Sequence, residues 1–285
     1  MGVVFGVCAA VLWGLGDYLI TILARRTSTP AALVLIQCLS LVSWLFILVL
    51  QPEPPPTDIR LWGLLILTGI CHVAGLVFVY RAFEIGTLSL VSPISSAFAV
   101  VTAALALTSG EQPPWPALSG TALLIGGIGI ATRGSASGHP GSGSVRYRGI
   151  PEAIASALGF GTMFWLFYFF IEPEMGHVWP LIVLKLMATA AAIVLFWRGD
   201  RGNQPSFKTP STLLLAVGAA LADTSAWLAY LRGSQTEFAA VVTALASLFS
   251  VVTILLAGVL LRERLKPSQW AGVAVILFGI LLVSI

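Results

Sequence analysis

Runs of about 20 apolar residues succeed one another along the whole of this 285-residue chain. A helix needs roughly that length to cross the hydrocarbon core of a bilayer. Ten runs meet or approach it: 3–23, 30–50, 61–82, 88–108, 116–133, 150–171, 178–197, 211–231, 238–260 and 268–285. In lipid the backbone must satisfy its own hydrogen bonds, which leaves helices and closed barrels. The runs are too long and too little alternating for barrel strands, so the pattern predicts an all-α membrane protein. Composition points the same way. The residues are 58% hydrophobic and 9% charged, whereas a soluble domain carries about 25% charge. The net charge of +3 is scattered and forms no basic patch, so the expected partner is the lipid bilayer and not nucleic acid.

Polar, proline-rich breaks separate the runs. Gln51–Pro56 has proline at four of six positions and cannot be helical. Glu111–Pro116 (EQPPWP) divides the fourth run from the fifth. The longest polar stretch, 134–148, is a Gly/Ser-rich linker at mid-chain. The two sides of it are related. Residues 98–102 read FAVVT and residues 249–253 read FSVVT. Glu111, Gly120 and Gly127 stand 152 positions before Glu263, Gly272 and Gly279. The expected organisation is therefore a five-helix repeat over 1–133, a linker over 134–148 and a second five-helix repeat over 149–285. An odd number of helices per repeat inserts the halves with opposite orientation, an inverted repeat.

Twelve of the 15 lysines and arginines fall in the loops after runs one, three, five, seven and nine. Arg60 and Arg232 fall in the other loops, and Lys185 lies inside a run. The positive-inside rule then places both termini outside. The first run has no basic leader and is long enough to span, so no cleavable signal is predicted. Cys8, Cys38 and Cys71 sit in apolar runs without ligand spacing and read as packing residues; no metal site and no cofactor are predicted.

Ionisable groups at bilayer depth are costly and tend to face a cavity or one another. Four stand inside the runs: Asp17, His72, Lys185 and Asp223. Trp227 and Tyr230 follow Asp223 on one helical face, and Trp13 precedes Asp17 by one turn. An acid beside aromatic rings suits an ammonium group. Lys185 has the central place in its run and fits either a substrate carboxylate or a role neutralising Asp17 or Asp223. Its repeat partner is Gln37, 148 positions earlier. His72 stands 151 positions before Asp223; its ordinary role is in packing, and proton coupling is the functional alternative. The expected substrate-binding set is Lys185, Asp223, Trp227, Tyr230, Asp17, Trp13, Gln37 and His72, with Trp165 a weaker candidate. Arg81 with Glu84, and Glu263 with its flanking arginines, read as structural charge clusters at the interface.

The chain resembles the EamA-type ten-helix transporters of the drug/metabolite transporter superfamily. The resemblance rests on Ala10–Gly14 (AVLWG), Tyr80–Gly86 (YRAFEIG), Leu90–Pro93 (LVSP) and above all Leu260–Lys266 (LLRERLK) leading into Trp270–Gly279. The first junction departs from the pattern, keeping only Glu111 within SGEQP, and Ser250 stands where the family often has proline. The resemblance implies a basic residue near the place of Lys185, and a seam where the fifth and tenth helices pack through Gly120, Gly127, Gly272 and Gly279. It also implies both termini in the cytoplasm, opposite to the arginine distribution. Its expected function is secondary transport, in the export direction, of a small polar or amphipathic metabolite such as an amino acid. The expected setting is a bacterial-type inner or plasma membrane, where a monomer suffices. An enzyme is not expected: there is no HExxH, GxSxG or GxxxxGK[ST] motif, and His72, His139 and His177 are far apart in the chain. A membrane scaffold or lipid-handling protein is the alternative.

Overall fold

A computed structural model of the protein describes residues 2–109, 148–198, 209–234, 248–262 and 265–283, with 115–116, 119–120, 122–123, 126–127, 130 and 246 besides. Among these residues all regular structure is helical. The first half holds α1 (Gly2–Arg26), α2 (Thr29–Leu50), α3 (Ile59–Ile85), α4 (Leu88–Ser95) and α5 (Phe98–Thr108). The second holds α6 (Ile150–Leu166), α7 (Glu172–Met175), α8 (Val178–Arg198), α9 (Pro210–Ser234), α10 (Phe249–Leu260) and α11 (Pro267–Val283). A π-helical turn, Phe167–Ile171, joins α6 to α7.

Six of these spans are long and apolar enough to cross a membrane: α1, α2, α3, α6 continued to Met175, α8 and α9. The expected fourth run is instead two helices. Pro93 cannot donate a backbone hydrogen bond, the Ser96 hydroxyl donates to the Pro93 carbonyl at 2.9 Å, and helix resumes at Phe98. Of the ninth run the described part holds α10, while residues 238–245 lie outside the described residues; the tenth run is α11. Most of the fifth run, the linker up to Tyr147, and Glu263 and Arg264 lie outside the described residues.

Local chemistry sets the helix ends. Ser28 caps α2, its Oγ accepting from Ala31 N, and Asp58 caps α3, its Oδ1 accepting from Arg60 N at 2.9 Å. Glu84 accepts from Thr29 N at 3.0 Å and from the Thr29 hydroxyl, and pairs with Arg81 at 3.1 Å. The carboxylate thus sits at the positive end of α2 as well as in the expected ion pair. Gly149 begins α6 with φ +84°, and a side chain there would meet the Ala82 carbonyl oxygen at 2.9 Å. Large apolar side chains face outward, among them Val49 at 74%, Leu214 at 73% and Val259 at 74% exposure. A water-soluble protein does not show such a continuous apolar surface, whereas lipid-facing helices do.

The two halves interlock through reciprocal contacts. A Cβ on Gly14 of α1 would lie 2.8 Å from the Phe249 carbonyl oxygen and 2.6 Å from Val252 Cβ of α10. A Cβ on Gly161 of α6 would lie 2.8 Å from the Phe98 carbonyl oxygen and 2.4 Å from Val101 Cβ of α5. The Thr253 hydroxyl oxygen lies 3.5 Å from Gly14 O, and the Thr102 hydroxyl donates to Gly161 O at 3.0 Å. Residues 98, 101 and 102 match 249, 252 and 253 at one spacing of 151 positions. Phe98 and Phe249 then stack on each other, centroids 6.4 Å apart and planes 13° apart. In the same manner α1 packs on α9 and α6 on α3, while α2 packs on α8. At the expected glycine seam, a side chain on Gly127 would strike Ile276 N at 2.8 Å and Gly272 O at 3.0 Å.

Candidate functional site

Where these cross-half contacts converge, the helices leave a cavity of about 130 Å³. That is close to the ~150 Å³ of an apolar cavity that takes up benzene. Seven of the eight expected residues line it: Trp13, Asp17, Gln37, His72, Lys185, Asp223 and Trp227. Tyr230 is outside the lining and packs behind it, 5.7 Å from Trp13 and 6.2 Å from Trp227 between ring centroids. Trp165 is turned elsewhere, its indole N–H donating to Ser109 Oγ at 2.9 Å.

Lys185 and Asp223 form an ion pair, Nζ to Oδ2 2.6 Å, with the lysine almost wholly enclosed. Of the two partners open to Lys185 in the sequence, the structure selects Asp223. The Ser40 hydroxyl adds a donor to the same oxygen at 3.4 Å. The pair joins α8 to α9, with α2 as third wall. Within this low-dielectric setting each charge holds the other, and removing either leaves its partner stranded.

Asp17 has a different environment. Its Oδ2 accepts from the Ser92 hydroxyl at 3.1 Å and from the Thr253 hydroxyl at 3.2 Å. Ser92 belongs to α4 and Thr253 to α10, so one carboxylate ties together both halves at the broken fourth run. Trp13 lies one turn away on α1 and meets Trp227 edge to face at 5.5 Å and Phe249 at 6.4 Å. Phe164 stacks on Phe98 at 4.8 Å and on Trp227 at 5.8 Å.

Buried polar atoms face the remaining wall. Gln37 shares a hydrogen bond with Tyr80, yet its Oε1 has no partner. Both ring nitrogens of His72 are likewise unpartnered, as is Ser95 Oγ. Natural interiors leave few such groups unsatisfied.

Sequence reasoning missed Phe98, Phe160, Phe164, Phe249 and Ser95 in the lining, and the hydroxyls of Ser92 and Thr253 on Asp17. Phe98 and Thr253 lie inside the FAVVT and FSVVT matches, which served only to mark the repeat. Serine 92 lies within the LVSP motif. No ordinary signal in a run of phenylalanines separates a cavity wall from a lipid face.

Helices of this length and outward apolarity, enclosing polar groups at their centre, define an integral multi-pass membrane protein. The EamA-like transporter family matches residues 1–133 and again residues 148–285. The chain belongs to the EamA-like transporter family and has its two-repeat architecture. A crystal structure at 13% sequence identity aligns over 99% of this chain and 95% of its own, with a TM-score of 0.64, and shows a similar fold. No curated protein matches.

Proposed function

We propose that the protein is a secondary transporter exporting a small polar or amphipathic metabolite, with amino acids among the candidates. It works by alternating access between two inverted halves, residues 1–133 and 149–285, joined by the linker 134–148. The observation that carries this reading is the cavity's position. It lies where reciprocal contacts of the two halves meet, and repeat-related positions line it with different chemistry. Gln37 and Lys185 both line the cavity, as do His72 and Asp223. A rocking of one half against the other that parts Phe98 from Phe249 exposes such a site to each side in turn. The substrate's own gradient or proton exchange supplies the energy, with His72 the candidate for the latter. The proposed setting is a bacterial-type inner or plasma membrane.

Counterflow of labelled metabolites into proteoliposomes tests the reading. Saturable uptake that Asp223→Asn and Lys185→Ala abolish supports it. Uptake unaffected by either change removes these residues from the site. Absence of flux for every small solute favours a scaffold or lipid-handling protein.

A further inference from the structure

Among the described residues, four acidic or basic side chains line the cavity: Asp17, His72, Lys185 and Asp223. Lys185 and Asp223 neutralise each other at 2.6 Å. Asp17 is then the acid in the lining that no basic side chain among the described residues pairs, and its charge when ionised has no protein counter-ion. The Ser92 and Thr253 hydroxyls that hold it carry dipoles and no charge. Among the described residues, no lysine, arginine or histidine comes within ion-pair distance of it. A carboxylate at bilayer depth is costly unless a cation joins it.

The walls beside Asp17 offer what an organic cation needs. Trp13 and Trp227 present two indoles, and Phe98, Phe164 and Phe249 continue the aromatic surface. Aromatic faces attract ammonium groups, and the more so out of water. A carboxylate on the same ligand finds no open cationic partner among the described residues. Among the described residues Lys185 is the only lysine or arginine in the lining, and it is committed to Asp223. The unpartnered atoms elsewhere in the cavity, on His72, Gln37 and Ser95, are neutral and suit a hydroxyl or amide.

We infer that the cavity selects small organic monocations, amines with one compact aromatic or apolar body and no carboxylate, their ammonium group seated at Asp17. This rests on the reading of the cavity as the substrate site and narrows the substrate class. It also separates the roles of the two acids: Asp17 meets the ligand, and Asp223 keeps Lys185 occupied.

The test is saturation binding of tritiated phenethylamine to the purified full-length protein in nanodiscs. Phenylalanine and phenylpropionate compete, so the same ring is offered as a cation, a zwitterion and an anion. Phenethylamine is expected to bind at least about tenfold more tightly than phenylalanine, and phenylpropionate least. Asp17→Asn is expected to weaken amine binding by roughly tenfold or more, with Asp17→Glu recovering part of it. Phenylalanine binding as tightly as the amine, no saturable amine binding, or unchanged binding in folded Asp17→Asn overturns the inference. Should Asp17→Asn fail to fold, the ranking of the three probes in the unaltered protein decides. Proteoliposomes that carry phenylalanine in preference to phenethylamine sink the inference and leave transport standing. Amine binding that depends on Asp17, without flux, does the reverse.

Discussion

Asp17 and Asp223 are both acids one helical turn from a tryptophan, yet their neighbours differ. Asp223 has a lysine at 2.6 Å; Asp17 has two hydroxyls. The spacing to tryptophan was legible in the chain. The assignment of Lys185 to one acid was not, because it depends on how α8 lies against α9. Removing Lys185 strands a carboxylate whose only other donor among the described residues is Ser40. Lys185→Met is expected to destabilise the protein by about 3–5 kcal/mol, read from thermal unfolding in detergent. The double change Lys185→Met with Asp223→Leu is expected to recover most of that loss, since apolar replacement of a buried pair is often neutral or stabilising. Failure of the double change to recover stability means the pair is not the principal interaction at that site.

At the scale of helices, close approach through glycine joins the halves. Gly14→Ala and Gly161→Ala each force a methyl group against a backbone carbonyl of the other half. Each is expected to cost about 1–3 kcal/mol and lower the unfolding temperature. Gly63, in α3, has open space where its Cβ would stand. Gly63→Ala is therefore expected to be neutral, or stabilising by up to about 1 kcal/mol through helix propensity. Equal effects at all three positions contradict the packing account. The long helices followed the apolar runs closely, because length and hydropathy alone decide a span. The split between α4 and α5 was less legible: Pro93 was visible, but a proline in a membrane helix can kink it or end it, and neighbouring helices decide which. The π-helical turn at Phe167–Ile171 had no signal in composition at all.

In the whole molecule, the duplication visible in FAVVT and FSVVT becomes physical contact. Phe98 and Phe249 occupy the same place in the two repeats and stack on each other. The repeat was legible as sequence; that its two copies touch at their own matched residues was not, since that follows from assembly. The direction of the chain across the membrane is testable by a reporter fused at Ile285. External activity follows from the clustering of arginine and lysine in alternate loops, and cytoplasmic activity follows from the layout that the family resemblance implies. Alternating access predicts that tying the halves together at Phe98 and Phe249 stops transport. The most direct measurement is counterflow in proteoliposomes carrying Phe98→Cys with Phe249→Cys, before and after oxidation. The account predicts saturable flux in the reduced protein, loss of it on cross-linking and recovery with reductant. Flux that continues unchanged through the cross-linked protein contradicts it.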